Sequence, residues 1–207
     1  MNADIKALTV KRKTGDEAFQ LDGRPTGFTL LNFWQWLASD LVDNALRGAL
    51  AEYIVACDLG IADGARPGWN AYDLITPEGV KVEVKSAAYL QSWRQAAHSK
   101  VCFDIRPTFG WDAATNTYGT ERKRQADVYV FCLLAHKDKP TLDPLNLSQW
   151  EFYVLPARVL DECLPNQKTL SMAGLLKLGP VNVEFGRIGD EIKRLIAQVN
   201  SQTEHHY

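Results

Sequence analysis

The chain has 207 residues, with 23 Lys and Arg against 25 Asp and Glu, for a formal net charge of −2. That balance excludes a uniformly basic nucleic-acid binder, so contact with a polyanion would need local positive patches. An apolar fraction of 46% suffices for a core, and the length favours one domain: an N-terminal arm over 1–28, a core over 45–134, and an extension of the same domain over 135–207. No signal peptide or membrane span is legible, so the expected location is cytoplasmic, with no membrane partner.

Residues 1–28 are polar and turn-rich and read as an arm or short hairpin. Phe28 to Leu37 is aromatic-rich, and Thr29 is placed to cap a helix there. Leu41, Val42, Ala45, Leu46, Ala49, Leu50, Tyr53, Ile54 and Cys57 recur at helical spacing, with Gly60 as the stop. Ala45, Gly48, Glu52 and Ala56 form a second, narrower row that would let this helix approach a sheet closely and aim Glu52 at it. Glu52 is either part of a site or an ordinary boundary residue.

The segment from Trp69 to Lys85 carries the most information. Ala71 to Ile75 is apolar but for Asp73, and Thr76-Pro77-Glu78-Gly79 is a turn. Val80, Val82 and Val84 then alternate with Lys81, Glu83 and Lys85, the period-2 pattern of a strand. A register pairing Asp73 with Glu83, Leu74 with Val82 and Tyr72 with Val84 puts two acids and a lysine on one face, and a one-residue slip would move Asp73 to the other. Such a group suits Mg²⁺-dependent phosphodiester chemistry, because Mg²⁺ takes oxygen ligands and keeps several waters. Roughly one Asp-x(n)-Glu-x-Lys match is expected by chance in a chain this long. Two others are present, Asp112…Glu121-Arg-Lys123 in a polar stretch and Glu191-Ile-Lys193 in a helical tail, but neither lies in a valine-rich hairpin. The alternative reading of Asp73, Glu83 and Lys85 is a solvated edge hairpin.

Downstream, Leu90 to Ala97 is either a short helix or a loop, and it carries Gln91, Arg94 and Gln95. Val101 to Arg106 and Trp150 to Leu155 read as strands, and Gln125 to Ala135 as a buried central strand. The run Arg122-Lys123-Arg124 precedes that strand and is either a phosphate contact or a solvated loop. The loop Thr108 to Thr120, with Trp111, Asn116 and Tyr118, either reaches a groove or closes a hairpin. Lys139 to Ser148 is a connection, Leu155 to Asp161 leads from strand into helix, and Pro165 to Gly174 is turn-like. Val181 to Phe185 is a last edge strand, and Asp190 caps a final helix with Ile192, Leu195, Ile196 and Val199 on one face. Cys57, Cys102, Cys132 and Cys163 lack paired spacing and read as reduced thiols, three of them in the core. His98 and His136 have no evident partners, and His205 and His206 lie at the C-terminus, where fraying is expected.

At Asp73, Glu83 and Lys85 the sequence resembles the PD-(D/E)XK, or restriction-endonuclease-like, nuclease superfamily, with Tyr72 where the motif's name has Pro. The resemblance covers roughly Ala45 to Leu134. It implies an α/β fold, a mixed β-sheet flanked by helices with an α-β-β-β-α-β core and C-terminal additions. It also implies Mg²⁺, with Mn²⁺ as a substitute, held by Asp73, Glu83, the backbone carbonyl of Val84 and Glu52, and Lys85 assisting the attacking water. Arg122, Lys123, Arg124, Gln91 and Arg94 become the expected nucleic-acid contacts. The implied function is a DNA endonuclease of restriction, repair or mobile-element defence, with RNA as an alternative substrate and a homodimer compatible with cutting two strands. A different reading is a catalytically silent binding module on the same fold.

Overall fold

The computed structural model describes residues 8–112 and 115–203, with side chains to residue 198, so His205, His206 and the side chain of Val199 lie outside the described residues. The chain divides into two compact units. One runs to Asp40 and takes in Asp63–Gly68; the other comprises Leu41–Ala62 and the chain from Trp69 onward.

The first unit is a hairpin followed by a helix. Strands β1 (Ala18–Leu21) and β2 (Arg24–Thr29) pair antiparallel around Asp22-Gly23, both in the left-handed region at φ 50° and 76°. Two successive positive φ values suit the twist of a tight hairpin, which is why Asp-Gly stands there. Helix α1 (Leu30–Ala38) starts at a reciprocal cap: the Thr29 hydroxyl accepts from the Asn32 amide, and the Asn32 side chain accepts from the Thr29 amide. None of its residues is fully buried, and Trp36 is 81% exposed.

The second unit is built on a five-stranded mixed sheet in the order β11-β9-β8-β4-β3. Its strands are β3 (Leu74–Ile75), β4 (Lys81–Ala88), β8 (Val128–Leu134), β9 (Trp150–Pro156) and β11 (Val181–Val183). Only β4 and β8 run parallel, with Val82 beside Val128 and Lys85 beside Phe131. Asp127 starts this pair: its carboxylate accepts from the Lys81 amide at 2.8 Å, and its own amide donates to the Lys81 carbonyl at 2.8 Å. Every residue of β8 is buried, as its unbroken apolar run expects of a strand covered on both faces.

Helices α2 (Asn44–Asp58) and α5 (Ile188–Thr203) cover one face. Ala51, Ile54, Val55, Ile188 and Ile192 meet Val82, Val84, Val130, Cys132 and Phe152 there. Helix α2 begins later than its apolar spacing suggests, because the Asp43 carboxylate caps it by accepting from the Ala45 and Leu46 amides. It ends at Gly60, φ 69°, where the Gly60 and Ile61 amides bond back to the Cys57 and Ala56 carbonyls. Helix α5 likewise starts before Asp190, which lies in its first turn.

The opposite face carries β5 (Cys102–Asp104) paired with β10 (Thr169–Ser171), and helices α3 (Ala157–Cys163) and α4 (Met172–Lys177). Phe103, Ile105, Leu160 and Leu175 pack there on Tyr129, Phe131 and Leu155. Pro165 to Gly174, expected to be turns, thus supplies a strand and a helix start, because Leu170 has a core position to fill and Ser171 caps α4.

The mixed sheet flanked by helices is the class the sequence leads one to expect. The connection from β4 to β8 differs from α-β-β-β-α-β: among the described residues it holds β5 and the hairpin β6 (Thr108–Asp112) with β7 (Thr117–Lys123), and Leu90 to Ala97 is a loop. The cysteines are free as expected, but Cys57, Cys102 and Cys163 are exposed and only Cys132 is buried.

Candidate active site

The hairpin register around Asp73 is the predicted one. Leu74 pairs with Val82, and the Asp73 amide donates to the Val82 carbonyl at 3.2 Å. Pairing stops there, and the Asp73 side chain takes over as the next rung: its Oδ2 accepts from the Val84 amide at 2.8 Å. In an extended strand the N–H and C=O of one residue point to the same side. The Val84 carbonyl therefore faces the same sheet edge as Asp73, ahead of the start of β3 at Leu74.

Glu83 and Lys85 project together from β4 over Tyr129 and Phe131, the residues beside them on β8. Lys85 Nζ lies 2.5 Å from Glu83 Oε1, and both side chains are largely screened from solvent. Burial pushes the Asp73 carboxyl up to about 7, helped by the negative charges of Glu83 and Glu52 and opposed by the Val84 amide and Lys85. Burial alone would lower the Lys85 ammonium, but Glu83, Asp73 and Asp104 hold it above its ordinary value. Lys85 is thus a fixed cation at neutral pH, and Glu52 on α2 stands close enough to act on Asp73 across the sheet edge. Asp73, Glu83, Lys85 and Glu52 form one electrostatic cluster.

Asp104 on β5 belongs to the same neighbourhood. Burial would raise its carboxyl, yet the Arg106 amide and guanidinium, with Lys85, keep it below its ordinary value. Its signal in the sequence is the alternation of Val101, Phe103 and Ile105 with Cys102, Asp104 and Arg106, which sends Asp104 away from the core.

The donor set suits a hard cation: two carboxylates, one backbone carbonyl at an open edge and a third carboxylate nearby, all oxygen. Among the described residues, no three His, Cys, Asp or Glu side chains converge closely enough to hold a metal ion by themselves. A site supplied mainly by two carboxylates and water is the arrangement that Mg²⁺ accepts and that zinc, which favours N and S donors, does not require.

The expected nucleic-acid contacts separate. Arg122 and Lys123 are exposed on β7, and Arg94 is exposed on the loop after β4. Arg124 is not a surface residue. Its guanidinium donates to the Ile105 carbonyl at 3.0 Å, the Asp161 carboxylate at 2.7 Å and the Leu164 carbonyl at 2.8 Å. Only 1% of that side chain is exposed, so it ties the residue after β5, the Asp161 carboxylate on α3 and the loop after α3 together and is withdrawn from the surface. Gln91 is also buried, accepting from Arg47 at 3.4 Å and donating to the Ser99 hydroxyl at 3.3 Å, so it too is withdrawn from a substrate surface. Arg47 went unnoticed in the sequence. It is buried on α2 and donates to the Val42 carbonyl at 2.9 Å, Asn44 Oδ1 at 2.8 Å and Ser86 Oγ at 3.2 Å. Its position in an otherwise apolar helical row was the available signal. His98 and His136 bond the Lys137 carbonyl and the Thr141 hydroxyl, with no part in the acid–lysine cluster.

These elements define an α/β protein with an acid–lysine cluster at the open edge of its sheet. The chain belongs to the bacteriophage T4 endonuclease IV family, which matches residues 29–169, more than half its length and the whole of this cluster. It is accordingly a nuclease. No curated protein matches the chain. Among the described residues, no helix is long and apolar enough to cross a membrane.

Proposed function

We propose that the protein is a divalent-metal-dependent DNA endonuclease of the PD-(D/E)XK type, with Mg²⁺ as the cation and Mn²⁺ as a substitute. The observation that carries this reading is the rung formed by Asp73 on Val84. It brings a half-buried carboxylate, the Val84 carbonyl and Glu83 along one sheet edge, with Lys85 2.5 Å from Glu83. Asp73, Glu83 and the Val84 carbonyl would hold the cation, with Glu52 in support directly or through water. When bound, the cation would neutralise phosphate charge and lower the pKa of a water.

The side chains have definite tasks of their own. The short β3 starts only at Leu74, opposite Val82, so the edge of β4 beyond Val82 is open to a phosphate instead of a neighbouring strand. Lys85 stays protonated and offers N–H donors to a non-bridging phosphate oxygen or to the attacking water, stabilising charge that grows in the transition state. Tyr129 and Phe131 close the floor beneath Glu83 and Lys85, limiting solvent and strengthening these electrostatic contacts.

The test is cleavage of supercoiled plasmid and linear DNA in Mg²⁺, Mn²⁺ or EDTA, with structured RNA as a comparison. Glu83→Gln should cut at least about a hundred-fold more slowly while keeping its fold. Equal cutting by wild type and Glu83→Gln, or undiminished cutting in EDTA, would overturn the assignment.

A further inference from the structure

A cleft of about 720 Å³ in the second unit lies between Tyr72, the neighbour of Asp73, and Lys81 on one side and the β6–β7 hairpin on the other. We propose that this cleft is a nucleotide subsite that holds one base and its phosphate next to the phosphodiester at Asp73 and Glu83. The proposal rests on the nuclease reading and extends it to residues outside the acid–lysine cluster.

Position comes first. Tyr72 directly precedes Asp73, and Lys81 shares the face of β4 that carries Glu83 and Lys85, two residues or roughly 7 Å from Glu83. A strand passing over the carboxylates therefore enters the cleft within one nucleotide. The volume lies in the range of small-molecule pockets, and the cleft is open along its length, as a continuing chain needs.

Chemistry comes second. Trp111 and Tyr118 are directly opposite on the hairpin, with ring centroids 4.7 Å apart. Tyr118 is 68% exposed, although a ring of that size in a solvated ribbon gains nothing from water. Planar bases stack on such rings whatever their identity. Lys81 stands over the Tyr72 ring, 5.5 Å from its centroid, and Lys123 lines the hairpin side, so two cations flank the aromatic surface. Asp112 and Glu121 also line the cleft and would repel a phosphate set against them, which leaves the phosphate to the lysines. Gln125 fixes the hairpin relative to its stem: its amide donates to the Thr108 and Lys123 carbonyls at 2.9 and 3.2 Å. A Cβ at Gly110 would sit 2.7 Å from the Gln125 side-chain oxygen, so a larger residue there would push Gln125 aside.

The experiment measures binding of a short labelled oligodeoxynucleotide in EDTA by fluorescence anisotropy, alongside cleavage in Mg²⁺. Trp111→Leu keeps apolar bulk but removes the ring plane, and should weaken binding roughly ten- to a hundred-fold. An oligonucleotide lacking its bases should bind wild type and Trp111→Leu alike. Lys123→Gln should lower the slope of log affinity against log salt by about 0.7 to 0.9. If Trp111→Leu loses its hairpin by near-UV circular dichroism, the exposed Lys123→Gln decides. Cleavage by wild type with unchanged binding in Trp111→Leu and Lys123→Gln would overturn the subsite and leave the nuclease reading intact. Binding that depends on Trp111, without cleavage in any metal, would support the subsite and overturn the nuclease reading.

Discussion

Asp73→Asn should make the metal-free protein more stable, and only above acidic pH. The folded-state carboxyl is pushed from an ordinary 3.8 up to about 7 by burial and by Glu83 and Glu52. The native state therefore binds more protons than the unfolded chain between those values, and stability falls as pH rises through that window. Each pH unit between the two values is worth about 1.4 kcal/mol, so the full penalty above pH 7 is about 4 kcal/mol. Residual solvent contact reduces this, and about 2 kcal/mol is the expected gain. Asn has no charge to bury, and its oxygen can still accept from the Val84 amide, so the rung survives. Urea unfolding in EDTA should show wild type and Asp73→Asn within a few tenths of a kcal/mol at pH 4, separating to about 2 kcal/mol at pH 8. Adding Mg²⁺ at pH 8 should then stabilise wild type and leave Asp73→Asn unmoved. A difference that does not vary with pH, or an Asn variant less stable at pH 8, would refute the account of a carboxylate strained by its neighbours.

Arg124→Lys should destabilise the fold by about 3 kcal/mol in urea unfolding, because an ammonium cannot serve the Ile105 and Leu164 carbonyls and Asp161 together. The salt slope of DNA binding should stay at its wild-type value in that variant. Arg47→Ala should cost about 2 to 4 kcal/mol by the same measurement, since it leaves the Val42 carbonyl and the Asn44, Ser86 and Gln91 side chains without their shared donor. A surface-like change under about 0.5 kcal/mol in either variant would show that these guanidiniums are not structural.

The parts of the fold that were legible in the sequence are those set by local chemistry. Pro77 and Gly79 fix the turn, Val80 to Val84 fix the alternation, and together they fix which face Glu83 and Lys85 share. The eight-residue apolar run from Val128 to Ala135, rich in β-branched and aromatic residues, reads as a buried strand. Arg124 differs in place from Arg122 and Lys123, yet three consecutive basic residues look alike in a sequence. Strand β7 ends at Lys123, and the next residue turns inward toward carbonyls contributed by Ile105 and Leu164, far off in the chain. Gln91 was withdrawn from the surface by Arg47 on another element, a pairing no local pattern encodes. Cys102 alternates with the buried Val101 and Phe103 and so faces outward with Asp104, and Cys57 falls just past the buried Val55 and Ala56 at the end of α2. The helix of the α-β-β-β-α-β order is an expectation about topology, and the polar alternation from Thr108 to Thr120 is too weak to decide between a loop and the hairpin that stands there.

The parallel pairing of β4 with β8 has a consequence for assembly. Lys81 and Asp127, which open the pair, are 46 positions apart, so the strand bearing Glu83 and Lys85 acquires its inner neighbour only after a long excursion of chain has closed. A nascent or partly melted molecule would hold the acids on a two-residue ladder at most, with Tyr129 and Phe131 missing beneath them. Catalytic competence and global cooperativity should then be lost together. The β4 amides that face β8 should exchange with deuterium only through complete unfolding, and a fragment ending before Val128 should cut nothing.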